Sequence, residues 1–531
     1  MSGLADRRGA EGAGATLNGH GSTGADGGRY KWIALSNTTL SMTMATIDAS
    51  IVIIAMPAIF RGIGLNPLDP GNISYLLWMI IGYLLVTAVA VVTLGRLGDM
   101  YGRVRIYNLG FVVFTLASIA LSLDPFYGSS GAMWLIGWRL IQALGGSMLM
   151  SNSAAILTDA FPAGKRGMAL GVNQIAGISG QFVGLLLGGL LAAVDWRLVF
   201  WINVPIGIVG TIWSYKSLRE IATTKKARID WLGNITFGVG LTSILLGVTY
   251  ILVPYGGSEL GYTNPLVILA LVLGFVFIGA FIMIERRVSQ PMFKLSLFKN
   301  REFSVGVSSL FISAIARGGL LFMLVIWLQG IWLPLHGYSI ESTPFWAGVY
   351  MLPMTVGFLV MGPLSGTLSD KYGQRLFMTL GSVIIAVSFI WMAFMPYNVP
   401  YEFLAVAIFL QGFGAGMFVA PNTSMVMCSV PAGNRGVASG MRATVQNVAQ
   451  SLSMTIYFAI LIIALEANIA AIAHTQVHAT AALFSVFLGL PPPGIDFSTF
   501  APIFMASLAL LFFISAALSL TAGGLSMYKR K

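Results

Sequence analysis

Asp48 is the one acidic residue lying deep inside an apolar stretch of this sequence, in Thr46-Ile-Asp-Ala-Ser-Ile-Val-Ile-Ile-Ala-Met-Pro57. Burial and a nearby cation act in opposite senses on a carboxylate's charge, so a small rearrangement between them loads or releases a proton. Arg139, Arg317 and Arg442 lie in similarly apolar surroundings. An arginine embedded in a bilayer costs roughly 2.5–3.5 kcal/mol on insertion scales, so each needs a partner, a protein wall or a wet cavity. This is the chemistry of charge and proton movement. Covalent chemistry finds no footing: His20, His336, His474 and His478 show no metal-ligand spacing with carboxylates or with Cys428, the single cysteine. Pro162-Ala-Gly-Lys165-Arg lacks the spacing and hydroxyl of a phosphate-binding loop. The sequence therefore predicts neither an enzyme nor a cofactor, and no use of ATP.

The elements that position these charges follow from composition. Of 531 residues, 56% are hydrophobic and only 9% charged, against roughly 25% charged in soluble domains. Mean hydropathy is +0.83, and the apolar residues gather into fourteen runs of membrane length. The net charge of +11 reads as topology rather than nucleic-acid binding. With the N-terminus in the cytoplasm, 25 of the 30 lysines and arginines fall in the tail and inner loops. The positive-inside rule then places both termini in the cytoplasm. The Gly-rich residues 1–30 read as a disordered cytoplasmic tail.

An internal repeat organises the runs. Gly95-Arg-Leu-Gly-Asp99-Met-Tyr-Gly102 recurs as Gly366-Thr-Leu-Ser-Asp370-Lys-Tyr-Gly373, and Pro162-Ala-Gly-Lys-Arg166-Gly recurs as Pro431-Ala-Gly-Asn-Arg435-Gly. Both pairs stand about 270 residues apart, so the register of one long duplication holds across them. The expected organisation is a six-helix bundle over 31–218, two inserted transmembrane helices over 229–287 and a second six-helix bundle over 303–527. Both repeat motifs fall on the cytoplasmic side, which gives parallel halves able to rock about a central site.

Gly95-x-Leu97-x-Asp99-x-x-Gly102-Arg103-x-Arg105 resembles the helix 2–3 loop motif of the major facilitator superfamily, and the chain as a whole resembles that superfamily's fourteen-spanner drug:proton antiporter branch. The resemblance implies an all-α polytopic membrane protein of the major facilitator fold, with fourteen transmembrane helices. It implies a gating role for Gly95, Asp99, Gly102, Arg103 and Arg105, and for Gly366, Asp370 and Gly373 of the second copy. Physically, the glycines permit a tight turn and close approach, and Asp99 is expected to cap a helix or pair with a base across the bundle.

Arg139-x-x-Gln142-x-x-Gly145 is similar to the family's proton-transfer motif in helix 4. Asp48-Ala-Ser50 is similar to its helix 1 motif, with Ile53 in place of an asparagine. Asp48 and Arg139 are therefore the implied proton-coupling residues; the same two would also serve as a fixed ion pair between helices 1 and 4. Gly171, Gly180, Gly184, Gly188 and Gly189 match the antiporter glycine motif, except that Leu185 stands at its proline position. Such a stripe is expected to pack closely and seal the cavity as the halves rock. Trp196-Arg197 through Asn203-Val-Pro205 resembles the branch's helix 5–6 signature, with a structural role.

Gln142, Gln174, Arg317, Gln329, Gln411, Asn422, Arg442, Gln446 and Asn447 are the candidates to line a substrate cavity. Arg442 lies close enough to a cytoplasmic helix end to snorkel. The expected function is proton-coupled export of small amphipathic molecules or drugs by a monomer in a bacterial inner membrane. Its partners are the substrate, protons and the bilayer. Lipid or glycolipid export on the same scaffold and a non-transporting membrane sensor remain open alternatives.

Overall fold

The computed structural model describes residues 24–66, 72–162, 165–221, 230–288, 291, 293–431, 435–472, 478–487 and 494–528. Fourteen described helices are long and apolar enough to cross a membrane. They are α1 (Arg29–Gly62), α2 (Ser74–Tyr101), α3 (Arg103–Ser122), α4 (Gly128–Ala160), α5 (Met168–Val194), α6 (Leu198–Ser217) and α7 (Trp231–Tyr250). The remainder are α8 (Pro265–Glu285), α9 (Arg301–Leu335), α10 (Thr343–Tyr372), α11 (Gln374–Ala393), α12 (Tyr401–Cys428), α13 (Val437–Ala471) and α14 (Phe497–Met527). The fold is all-α, as expected, because helices satisfy their backbone hydrogen bonds without help from lipid.

The sequence repeat reappears as repeated packing. In the first six helices α1 packs on α5 and α4, α2 on α4, and α3 on α4 and α6. In the last six, α9 packs on α13 and α12, α10 on α12, and α11 on α12 and α14. Helices α7 and α8 pack chiefly on each other, while α7 also touches α2 and α13. Only 17% of the most apolar stretch of α8 is buried, so this helix presents nearly its whole surface to lipid.

The two sets of six meet through α2 against α13 and α5 against α10. The second contact joins the ends of these helices remote from the basic loops. There a Cβ built on Gly189 would land on the backbone of Pro344 and Phe345, and one on Gly348 would meet that of Leu185 and Leu186. One continuous apolar cluster spans this end, from Ile51 and Phe60 to Trp327, Leu333 and Phe484. A clasp sits at the same end between α3 and α4, where Asp124 accepts from the Phe126 N–H at 2.9 Å. Burial raises the Asp124 carboxyl above its usual range, opposed by the Phe126 N–H and the Arg197 guanidinium.

One expectation needs correction here. The tail assigned to 1–30 falls outside the described residues up to residue 23, but from Gly24 the chain is already helical and runs into α1. The connection after α13 contains a buried helix, Ala479–Phe487. At nine residues it is too short to register as a span. Its Phe484 and Phe487 stack near Phe458 and Phe322 with ring centres 5.8 Å and 5.0 Å apart. The start of this helix is pinned to the α7–α8 connection, where Thr480 N–H donates to Glu259 at 3.1 Å.

Candidate functional site

The Asp48 carboxylate is wholly buried on α1. Its Oδ2 accepts from Arg139 Nη1 of α4 at 2.6 Å. Its Oδ1 accepts from Gln142 Nε2 at 2.9 Å and from Asn203 Nδ2 of α6 at 2.8 Å. Gln142 also donates to Ser118 Oγ of α3 at 2.9 Å and accepts from Arg139 at 2.8 Å. The guanidinium lies 4.3 Å from the ring centre of Tyr83 on α2, within cation–π range. Five helices thus converge on one ion pair.

Local sequence explains why they meet. Arg139 and Gln142 stand three residues apart on α4 and so share a face. One turn further, a Cβ on Gly145 would strike the backbone of Phe114, so only glycine allows α3 to come close enough for Ser118 to reach Gln142. On the other side α5 presses against α1. A Cβ on Gly177 would meet Met42, on Gly180 it would meet Thr43 and Thr46, on Gly184 Ile47 and Ser50, and on Gly188 Ile51 and Ile54.

This stripe corrects the sequence reading twice. Gly171 meets nothing within 4 Å and is not part of it, whereas Gly177, unremarked in the sequence, is. Moreover the stripe packs α5 on α1 within one set of six. Gly189 alone of the motif touches the other set.

The α2–α3 motif forms a second charged cluster. Gly102 is the single residue between the two helices and has φ 109°, a conformation natural to glycine. Arg103 pairs with Asp99 at 2.7 Å and with Asp159 of α4 at 2.7 Å. Asp99 therefore pairs one turn along its own chain; it neither caps a helix nor reaches across the bundle. The cap comes from Glu220, which follows α6 and accepts from the N–H groups of Arg103 and Val104 at 3.0 Å each. Gly95 and Gly98 bring α2 close to Ser151 and Asn152 of α4, and Arg105 is exposed.

The second copy keeps the turn, with Gly373 at φ 97°, and keeps Asp370 where the first has Asp99, but lacks the counterpart of Arg103. Gln374 stands where Arg103 does and donates to Ser424 at 2.9 Å, while the neighbouring Arg375 pairs with Glu302 at 3.2 Å. Asp370 sits in the last turn of α10, and a Cβ on Gly366 would meet only Ala420 at ordinary distance.

A cavity of about 100 Å³ lies between the two sets of helices, toward the end that carries the basic loops. Gln174, Arg442, Gln446 and Asn447 line it, as expected. Arg442 does not snorkel: it is only 3% exposed and faces the interior. The other candidates lie elsewhere. Gln142 belongs to the Asp48 cluster. Gln411 donates to the Ile385 carbonyl at 3.3 Å and Asn422 to that of Gly306 at 2.8 Å, both inside the second set. Gln329 is buried in a π-helical turn of α9, Leu328–Trp332. Arg317 lies on α9 near the α13 contact, where the Tyr457 hydroxyl donates to the Ala316 carbonyl.

Sequence reasoning missed Asn203 and Glu220 as site residues. Asn203 stood within the helix 5–6 signature, and nothing but the fold shows that it points at Asp48. Glu220 carried no local signal.

A sequence model described as the Major Facilitator Superfamily matches residues 38–454. The riboflavin transporter RibZ of Clostridioides difficile is 29% identical, over 81% of this chain and 88% of its own length. The tetracenomycin C resistance and export protein of Streptomyces glaucescens is 26% identical, over 94% and 92%. Among solved structures, an inward-facing, unoccupied bacterial homologue of the human lysosomal transporter Spinster matches with a TM-score of 0.58. It is 17% identical and covers 93% of this chain and 97% of that one. That likeness concerns the fold.

Proposed function

The chain belongs to the Major Facilitator Superfamily, and from that premise we propose that it exports a small amphipathic molecule in exchange for protons. The observation that carries the proton step is the buried Asp48–Arg139 pair, hydrogen-bonded to Gln142 and Asn203 and, through Gln142, linked to Ser118. Protonating Asp48 removes the charge that holds Arg139, so one proton can reset contacts among α1, α4 and α6 together. Asp48 stands six residues beyond Met42 on α1, about 9 Å farther along the helix than the cavity wall. A proton reaches it from the basic end only when α1 and its neighbours part.

Alternating access follows the same geometry. The sets of helices are joined at the end away from the basic loops and leave a cavity at the other. With the basic loops in the cytoplasm, this is an inward-facing state. The parts assigned are a first bundle over 31–218, two inserted helices over 229–287 and a second bundle over 303–527. Orientation is checked by single cysteines in a cysteine-free background. Ser130 and Ser258 should react with an impermeant maleimide in intact cells, and Ile221 only after lysis. Thr480, 1% exposed, should report on neither side. Labelling of Ile221 in intact cells would invert the topology and remove the inward-facing assignment.

The Asp99–Arg103–Asp159 cluster supports a gating role for the α2–α3 turn. Arg103 retains Asp159 when Asp99 is lost, so Asp99→Asn should fold normally. Transport should still fall about fivefold or more, the low end of what a conformational coupling is worth. Parallel loss of folded protein and transport would make the cluster a fastening only. The function itself is tested in proteoliposomes with an imposed pH gradient, screening dyes and drugs that begin with riboflavin and tetracenomycin C. Gradient-dependent accumulation of a compound supports antiport; accumulation insensitive to the gradient sinks it.

A further inference from the structure

The inter-bundle cavity contains a cation with no counter-charge among the described residues. Arg442 is 3% exposed and lines the cavity, yet its Nε and Nη2 have no hydrogen-bond partner among the described residues. The Asn447 Nδ2 on the same wall is also buried without a partner. Among the described residues, no aspartate or glutamate lines this space. The embedded acid, Asp48, is committed to Arg139.

Native interiors rarely leave such groups unsatisfied, and an exception calls for a reason. Water entering the cavity would satisfy N–H groups but would leave the charge uncompensated. The orphaned atoms are all donors, so what completes the site is acceptor-rich and negative. The guanidinium fork suits a planar carboxylate or a phosphate. Met42, Met150 and Met427 also line the cavity, and methionine adapts to apolar bodies of varied shape.

We propose that this cavity binds an organic anion, with a carboxylate or phosphate on Arg442 and Asn447 and an apolar body among the three methionines. The inference rests on the transport reading only in taking the cavity as the substrate site. It makes the exported class amphipathic anions, and sets an organic cation without an acidic group at a disadvantage. The same oxyanion chemistry is carried by a dissolved acid and by an anionic lipid headgroup, and the test separates the two.

Benzoate and benzamide have nearly the same shape and differ in charge. Their affinities for the full-length protein in phosphatidylcholine nanodiscs are read by saturation-transfer NMR. Benzoate should bind about tenfold or more tightly than benzamide, as a charge-assisted fork implies. Arg442→Gln should abolish that preference without changing benzamide binding. If Arg442→Gln is not recovered folded, Ser439→Glu carries the test. It places a carboxylate one turn from Arg442 on the cavity wall, and benzoate should weaken about tenfold as the internal carboxylate occupies the guanidinium. Equal affinities for the two probes, or a preference that survives the variant, would overturn the proposal.

Adding phosphatidylglycerol to the disc decides the source. If it displaces benzoate where soluble glycerol phosphate does not, the oxyanion is a lipid's; if benzoate binding holds, it is a solute's. Either result upholds an oxyanion site. Binding is measured without any gradient, so failure here leaves the proton step standing. Failure of gradient-driven transport likewise leaves this result intact.

Discussion

Asp48→Asn protein in liposomes should exchange substrate across the membrane but fail to concentrate it against a pH gradient. The amide keeps the shape of the carboxylate and mimics its protonated state permanently. Gln142 and Asn203 remain to hold the side chain, and Arg139 keeps its contacts with Tyr83 and Gln142. The fold therefore survives, while the group that would change charge during the cycle is gone. A pH difference of one unit is worth about 1.4 kcal/mol per coupled proton, hence about a tenfold concentration ratio for wild type. For Asp48→Asn the ratio should be one. Undiminished accumulation would leave Asp48 as a fixed ion-pair partner. Arg139→Ala is the contrasting variant: it strands a buried carboxylate, at a cost of about 3–5 kcal/mol, and should lose folded protein as well as transport.

Gly189→Leu should leave the protein folded but drive it out of the inward-facing state. Gly189 is the glycine of the α5 motif that touches the other set of helices, and what a side chain would meet there is the Pro344–Phe345 backbone. Backbone cannot rotate out of the way as a side chain can. Overpacking of this kind costs about 1–3 kcal/mol, and 1.4 kcal/mol between two states is already a tenfold change in population. Here the strain has an outlet, since α5 and α10 can part by opening the end they now close. A cysteine at Gln174, on the cavity wall, should then react more slowly with a maleimide reaching it from the basic end, and transport should fall about tenfold by the same arithmetic. Gly184→Leu is the control. Its side chain collides with Ile47 and Ser50 within one set of helices, no rocking relieves it, and folded protein should be lost. Unchanged labelling at Gln174 in Gly189→Leu would break the link between this contact and the state of the transporter.

What the sequence determined alone was whatever depends on local composition and periodicity. The fourteen runs became α1–α14, because a bilayer demands about 20 apolar residues and nothing farther along the chain alters that demand. The duplication foretold the repeated packing, since the same motif at the same register builds the same turn; Gly102 and Gly373 share a positive φ. The partnership of Asp48 with Arg139 was also legible, but through the resemblance of their motifs to the family's helices 1 and 4, since composition alone offered Arg139, Arg317 and Arg442 alike.

Tertiary structure alone decided partners drawn from distant segments. Asn203 completes the Asp48 cluster across 155 positions of chain, and Glu220 caps α3 in place of Asp99 from 117 positions away. The glycine stripe showed that α5 packs closely, yet not that it packs on α1 while Gly189 meets α10. A small residue announces close approach without naming the neighbour. For the same reason Gln411 and Asn422 looked like cavity residues but serve backbone carbonyls inside their own bundle, whereas Arg442 lines the cavity between the bundles. Residue type specifies that a polar group needs a partner, and only the arrangement of helices determines which groups find one.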